Sequence, residues 1–338
     1  MRDGSDSPSS GGFQAVLVIS FGGPQGLADI RPFLENVIRG RRLPPQRVEE
    51  VARHYELFNG VSPITEITRR QAEGVRARLQ ARGIGLPTYV GMRHWHPFLA
   101  DTLRAMSQAG VRRAIGFIAA AHHCYSSCGQ YKENVAEAKR TLRERGLPDV
   151  EIAYVESWYD HPGFIGTLAR HAEAALLALD ASIRDRARMV FTAHSIPRSM
   201  ADCCRYERQL GETARLVTRA LDRRDYALVY QSRSGRPEDP WLEPDVCEYL
   251  RAERARGLEA VVLAPIGFIC EHIEVLYDLD VRAAEVCREL RLPMARAQTP
   301  NDDPLFIETM ADLVRDTYER YRRFPPLPIV LGQSIISR

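Results

Sequence analysis

The chain has 338 residues, of which 45% are hydrophobic and 27% charged, and its formal net charge is +2. This composition is typical of a globular protein long enough for two domains, and it excludes a disordered, collagen-like or coiled-coil chain. No run of 18 apolar residues occurs, which excludes a transmembrane helix and leaves at most a peripheral contact with a membrane. The 46 Lys and Arg residues nearly balance the 44 Asp and Glu residues without forming a basic block, so nucleic-acid binding is not expected.

The N-terminal residues and the cysteines indicate the compartment in which the protein is expected. Residues 1–12 are rich in Ser, Gly and Asp without an apolar core, which predicts a disordered leader and not a signal peptide. Seven cysteines without a secretory signal favour reduced thiols over a disulfide framework. We therefore expect a cytoplasmic protein.

Short β-rich runs alternate with long amphipathic stretches along the chain. Strict alternation of strand and helix predicts parallel sheets with right-handed crossovers, and the nearly continuous apolar content of the strands indicates helices on both faces. Four runs fall in each half, which predicts an α/β protein of two similar Rossmann-like domains, each with a four-stranded parallel sheet flanked by helices. The predicted strands are residues 14–20, 87–91, 114–120, 151–155, 188–193, 226–231, 260–264 and a weaker run at 291–298.

The same pattern predicts the domain organisation. An N-terminal α/β domain is expected at 13–156 and a C-terminal one at 157–303. A helical stretch at 304–323 is expected to pack back on the first domain, and 324–338 is expected to form a tail.

In an open parallel sheet, ligands bind beyond the carboxyl ends of the strands. His194 follows the apolar run 189–193 at such a position, where an imidazole can accept a proton or bind a metal near neutral pH, or can instead tie down a turn. After the first strand, Gly22-Gly23-Pro24 favours a tight ligand-facing turn over a nucleotide loop, because Pro24 lacks an amide donor.

Three carboxylates follow the seventh strand. Glu271, Glu274 and Asp278 are spaced three and four residues apart, which predicts one face of a helix. Such a ridge offers hard oxygen ligands for a divalent cation, or a path along which metal and protons reach the site. Alternatively, the three carboxylates lie in a solvated first turn, where their negative charge complements the helix dipole. With His194 opposite, the combination favours a metal-handling or acid–base site.

Two cysteine pairs stand out from the solitary cysteines. Cys124 and Cys128 lie four apart, and Cys203 and Cys204 are adjacent in the loop after His194. Each pair lies in a strand-end loop, one in each half, so four thiolates for an iron–sulfur cluster are geometrically feasible, although adjacent cysteine ligands are uncommon.

Several motifs, taken in order, resemble the ferrochelatase family from about residue 16 to residue 278. They are SFGGP at 20–24, GVSPI at 60–64, TAHSIP at 192–197, YQSRSG at 230–235, PWLEPD at 240–245, PIGF at 265–268 and HIEVLYD at 272–278.

The resemblance implies a chelatase fold and the insertion of Fe²⁺ into a porphyrin, protoporphyrin IX or coproporphyrin III, with release of two protons in haem biosynthesis. It implies that His194 and Glu274 bind the metal and catalyse the reaction, and that Glu271 and Asp278 extend a ridge for metal delivery. The expected porphyrin-binding residues are Phe21, Ser62, His94 and Tyr131. Because Phe cannot ligate iron, an axial ligand from Phe21 is in doubt.

The resemblance also bears on a cofactor and on membranes. Some members carry a [2Fe–2S] cluster, and no cysteine follows Cys287 here. Either the cluster is absent, or, as the resemblance to a minor class of bacterial members implies, it is bound by the internal cysteines Cys124, Cys128, Cys203 and Cys204. The short, basic segment 38–47 stands where membrane-associated relatives have a hydrophobic lip. Two other functions stay open: a carrier of tetrapyrrole or metal without turnover, and a chelatase for another metal such as cobalt.

Overall fold

The structure is a computed structural model, and it describes residues 12–40, 44–234 and 238–323. The predicted tail and all but the last residue of the predicted leader lie outside the described residues.

Eight strands form two parallel sheets of four, as the alternating pattern predicts. The strand order is β2-β1-β3-β4 in the first sheet and β6-β5-β7-β8 in the second, so the two halves share one topology. The strands are β1 (Ala15–Ser20), β2 (Thr88–Met92), β3 (Arg113–Ile118), β4 (Glu151–Tyr154), β5 (Ala187–His194), β6 (Tyr226–Gln231), β7 (Ala260–Ala264) and β8 (Met294–Arg296).

Helices connect the strands and cover the sheets. The helices are α1 (Ile30–Ile38), α2 (Pro45–Glu56), α3 (Ile64–Ala81), α4 (Leu99–Gln108), α5 (Gln130–Glu144), α6 (Pro162–Ala178), α7 (Arg198–Ala201), α8 (Tyr206–Ala220), α9 (Val246–Ala255), α10 (Ile273–Val275), α11 (Ala284–Glu289) and α12 (Pro304–Arg323). A π-helical segment, Leu276–Ala283, joins α10 and α11 into one continuous helix. A second π-helical turn, Tyr125–Gly129, leads into α5.

The central strands supply the core, because helices cover both faces of each sheet. Every residue of β1 and β7 is buried, and the largest apolar cluster includes side chains from both sheets. Within it, α12 packs on α3 and β3 of the first half and on α6 of the second. The cluster thus holds the two sheets together.

The strand order of the second sheet marks the point where a ligand site is expected. The chain leaves β5 toward β6 on one side of the sheet, and β7 lies on the other side, so the connections diverge at the carboxyl ends of β5 and β7. A crevice opens where the strand order reverses in this way. His194 ends β5 at this point, and α10, which carries Glu274, follows β7.

Candidate active site

His194 lies at the carboxyl end of a buried central strand. The backbone carbonyl of Ser195 accepts a hydrogen bond from its Nδ1, and the Tyr206 hydroxyl donates to the His194 carbonyl over 3.1 Å. A carbonyl can only accept, so the proton of the neutral imidazole lies on Nδ1 and the Nε2 lone pair is free to accept a proton or bind a metal. A third of the side chain stays exposed, at 33%.

Glu274 faces this imidazole from the helix that follows β7. The distance from His194 Nε2 to Glu274 Oε2 is 3.8 Å. The loop between β7 and α10 is held close to β5 by Gly267, where an added Cβ would lie 2.6 Å from the Cβ of Ala193. A glycine at this point lets the loop approach the strand, and so brings the carboxylate to the histidine.

Burial and neighbouring charges shift the pKa values of the ionisable groups around this pair. Burial raises the pKa of Glu274. The charge of His194 lowers this pKa, and the charge of Asp278 raises it. The carboxylate is surrounded by protein, yet 45% of the side-chain surface remains open to the crevice. Burial, together with the charge of His194, lowers the pKa of neighbouring His272 to about 3, so His272 is neutral near pH 7.

The first half contributes aromatic residues to the same region. Phe21 follows β1 and packs on His94, with their ring centroids 4.5 Å apart, and the Phe21 carbonyl accepts a hydrogen bond from the His94 amide over 2.9 Å. Tyr131 is buried under the Arg93 guanidinium, which lies 5.7 Å from the ring centroid. Burial raises the pKa of the Tyr131 phenol, and Glu274 contributes to the rise, which places the tyrosine within electrostatic reach of the carboxylate.

Ser62 lies at the base of the Gly-Gly-Pro turn. The side chain is 2% exposed, and an added Cβ on Gly23 would lie 2.5 Å from the Ser62 Cβ. The amide of Ser62 donates to the Pro24 carbonyl over 2.9 Å. The turn therefore packs directly against the serine, as its two glycines allow.

Glu271 lies outside the helix on which the spacing predicts it. The helix begins at Ile273, so Glu271 precedes it, and its carboxylate accepts hydrogen bonds from Arg296 Nη1 (2.8 Å) and from the amide of Thr299 (3.0 Å). A buried carboxylate with these partners acts as a structural ion pair between the loop and β8.

Asp278 lies on the π-helical segment but does not face open solvent. It is 5% exposed, accepts a hydrogen bond from the Ser232 hydroxyl, and pairs with Arg282 over 3.1 Å. The guanidinium of Arg282 thus occupies the position next to Asp278 where a cation on the predicted ridge would bind.

The four cysteines proposed for a cluster lie in one region without forming a ligand set. The loops that carry the two pairs approach each other, because the His123 amide donates to Gln209 Oε1 over 2.6 Å and Cys204 packs against the apolar cluster that contains Cys124. In the part of the chain that the structure describes, no group of three or more His, Cys, Asp or Glu side chains is arranged to hold a metal ion. The cysteines as placed do not fit a preformed cluster site.

The spacing of the sequence motifs does not predict two of the side-chain contacts at the site. Thr192, two residues before His194, and Gln231 form a buried hydrogen bond of 2.7 Å. A polar residue inside an apolar strand is the one feature of the sequence that marks Thr192. His54 of α2 stacks on Tyr277 with ring centroids 3.6 Å apart, and both line a cavity of about 500 Å³. This stack joins the first half to the helix of Glu274.

Two solved structures have a similar fold. SirB from Bacillus subtilis with Fe³⁺ superposes with a TM-score of 0.57 at 11% identity, covering 92% of this chain and 98% of that one. The sirohydrochlorin chelatase SirB of B. subtilis subspecies spizizenii in complex with cobalt gives a TM-score of 0.51 at the same identity and coverage. At this identity the likeness concerns the fold, and it confirms the two-sheet α/β architecture. None of the described helices combines the length and apolar content that crossing a bilayer requires.

Sequence comparisons identify the family. The family model described as Ferrochelatase matches residues 13–318. A ferrochelatase of Rhodopirellula baltica is 46% identical over 316 residues, which cover 93% of this chain and 89% of the relative. Coproporphyrin III ferrochelatases of Mycolicibacterium smegmatis and Streptomyces coelicolor are 45% and 42% identical, covering 89% and 95% of this chain and 89% of each relative. A chain that matches the model over nearly its whole length, with His194 and Glu274 facing each other across the crevice, belongs to the ferrochelatase family.

Proposed function

We propose that this chain inserts Fe²⁺ into a porphyrin, with release of the two pyrrole protons, as a step of haem synthesis. The observation that carries the proposal is the 3.8 Å separation of His194 Nε2 from Glu274 Oε2, at the crevice between the carboxyl ends of β5 and β7. Insertion of a metal into a porphyrin requires a group that removes protons from the ring and a group that holds the incoming metal. An imidazole and a carboxylate within one site supply both.

His194 is suited to the proton-accepting role. Because Nδ1 donates to the Ser195 carbonyl, Nε2 presents its lone pair to the crevice, and the Tyr206 hydroxyl holds the backbone of the histidine in place. A pyrrole N–H directed at Nε2 would transfer its proton there. The protonated imidazole is then stabilised by the adjacent carboxylate.

Glu274 is suited to the second role. Burial raises the pKa of its carboxyl group, which makes the carboxylate a stronger base than an exposed glutamate. An anionic oxygen in a partly enclosed crevice binds a divalent cation and can take up the second proton as the iron bonds to the ring nitrogens. The overall change converts a porphyrin and Fe²⁺ into the metallated ring and two protons, without transfer of electrons.

Coproporphyrin III is the substrate favoured by the available observations. The relatives at 45% and 42% identity carry that substrate in their names. Arg53 on α2 lines the cavity beside Tyr277, three residues from Glu274, and offers a guanidinium group to a propionate of the ring.

Anaerobic insertion assays with the purified protein test this proposal. Fe²⁺ is supplied with coproporphyrin III and, separately, with protoporphyrin IX, and the visible spectrum of each ring is followed. The proposal predicts metallation of both or of coproporphyrin III alone, with higher kcat/KM for coproporphyrin III. Porphyrin binding without metallation would contradict it and favour a carrier, and faster insertion of Co²⁺ than of Fe²⁺ in competition would favour a cobalt chelatase.

A [2Fe–2S] cluster held by Cys124, Cys128, Cys203 and Cys204 stays a separate prediction, supported by the close approach of the loops that carry the two cysteine pairs. Its chemistry would be structural, since the insertion reaction needs no electron. Freshly isolated protein should then be brown, and Cys128→Ser should remove the colour. Cys287→Ser is the matched control, because Cys287 is buried in a different apolar cluster. A colourless wild-type protein isolated under argon would exclude the cluster.

A further inference from the structure

Gln231 connects the two elements that carry the catalytic pair. It is the last residue of β6, lies opposite His194 in the parallel register, and is fully buried. The Gln231 carbonyl accepts a hydrogen bond from the Ser195 amide over 2.8 Å. Its backbone therefore holds the strand end that carries His194.

The side chain of Gln231 reaches the other element. Its Nε2 donates to the Glu274 carbonyl over 3.0 Å, and its Oε1 accepts from the Thr192 hydroxyl over 2.7 Å. Thr192 is also fully buried, two residues before His194 on β5. One amide thus bridges the strand of the histidine and the helix of the glutamate.

The next residue fastens the same helix at a second point. Ser232 adopts a left-handed conformation with φ 62° and donates from its hydroxyl to Asp278, one turn beyond Glu274. Asp278 is held in turn by Arg282. The end of β6 therefore contacts the helix at two points, the Glu274 carbonyl and the Asp278 carboxylate one turn later.

We propose that Thr192 and Gln231 are positioning residues that set the distance between His194 and Glu274 for metal insertion. The inference rests on the proposed function, because it assigns a role relative to that catalytic pair. Neither residue touches the reacting atoms; both act through the strand and the helix they join. Buried amides and hydroxyls with every partner in place rigidify a site, and a displacement of about 1 Å at a catalytic group can reduce the rate by about 100-fold.

Three substitutions at buried threonines isolate this role. Thr192→Val keeps the shape of the side chain but leaves Gln231 Oε1 without its donor, and Thr192→Ser keeps the hydroxyl. Thr167→Val is the matched control: Thr167 is also fully buried and its hydroxyl bond is 2.8 Å long, but it donates to Gly163 within α6 and does not touch the pair.

Insertion kinetics with Fe²⁺ and coproporphyrin III, together with the thermal midpoint of each variant, give the readout. We expect Thr192→Val to lower kcat by about tenfold or more with the porphyrin KM changed less than twofold. Thr192→Ser should stay within twofold of the wild-type kcat, and so should Thr167→Val at a comparable change in thermal midpoint. A wild-type kcat in Thr192→Val, or an equal loss in Thr167→Val, would overturn the proposal.

A second variant and a separate control complete the design. If Thr192→Val yields no folded protein, the same kinetic and thermal measurements are made on Gln231→Glu. This substitution replaces the amide that donates to the Glu274 carbonyl by a carboxylate oxygen, and the same loss of kcat is expected. His194→Ala tests the catalytic pair itself: a wild-type rate there overturns the proposed function. A large loss in His194→Ala with no loss in Thr192→Val overturns only the positioning role.

Discussion

The close approach of Gly267 to β5 makes a substitution at this position a quantitative test of how the site is assembled. In Gly267→Ala the new Cβ would lie 2.6 Å from the Cβ and 2.7 Å from the Cα of Ala193. Carbon atoms in contact stay about 3.5 Å apart, so the loop must retreat by roughly 1 Å. The strand cannot yield, because β5 lies between β6 and β7 and Ala193 is fully buried.

The expected loss of stability follows from two contributions. Overpacking a buried contact costs about 1–3 kcal/mol. The retreat also stretches the 3.1 Å hydrogen bond from the Gly267 amide to the Thr192 carbonyl, which is worth about 1 kcal/mol. We therefore expect Gly267→Ala to lower the free energy of unfolding by about 2–4 kcal/mol. Because the loop leads to α10, we also expect the displacement to reduce kcat for metal insertion.

Denaturant unfolding and the insertion assay measure the two effects. Gly211→Ala is the matched control, because Gly211 lies within α8 and an added Cβ there meets no atom within 4 Å. That variant should be more stable than the wild type by about 0.5–1 kcal/mol, since alanine favours a helix over glycine. Equal stability of Gly267→Ala and the wild type would refute the reasoning.

Two further predictions concern buried ionisable groups away from the reacting atoms. Burial lowers the pKa of His122 to about 3, whereas its pKa in the unfolded state is about 6.5. Protonation of His122 therefore favours the unfolded state. The stability that is present above pH 6.5 is lost as the pH falls toward 3. His122→Phe should reduce the slope of unfolding free energy against pH in this window by up to about 1.4 kcal/mol per pH unit, and an unchanged slope in pH-dependent denaturation would contradict the assignment. Glu271→Gln should lower the free energy of unfolding by about 1–3 kcal/mol, because it removes one of the two carboxylates that pair with Arg296 while Asp280 remains in place. A wild-type thermal midpoint with a raised KM for Fe²⁺ would instead return Glu271 to the metal path.

The strands and their alternation with helices could be predicted because buried parallel strands are nearly continuous apolar runs. Their boundaries differ from the structure by only one or two residues at most ends, and the weak run at 291–298 contains the three-residue β8. In parallel sheets of this topology, ligands bind beyond the carboxyl ends of the strands, so polar residues at those ends are candidates for the site. The position of His194 directly after an apolar run is enough to predict that it lies at a strand end.

The contacts that assign roles to the carboxylates could not be predicted from spacing. Glu271 binds Arg296, which lies 25 residues along the chain, and only the pairing of β7 with β8 brings the two together. Spacing of three and four indicates a helix face but does not say where the helix begins, and here it begins at Ile273. The bridge made by Gln231 likewise depends on strand register, which a single sequence does not reveal.

Iron insertion by the His194→Ala variant tests the central claim most directly. The measurement is the anaerobic initial rate with Fe²⁺ and coproporphyrin III, alongside the wild type and His171→Ala. The His171 imidazole contacts Asp303 and the Gln298 carbonyl, and it forms no hydrogen bond with His194 or Glu274. The account predicts a loss of about 100-fold or more for His194→Ala, a rate within about twofold of wild type for His171→Ala, and retained porphyrin binding in both. A wild-type rate in His194→Ala would contradict the account.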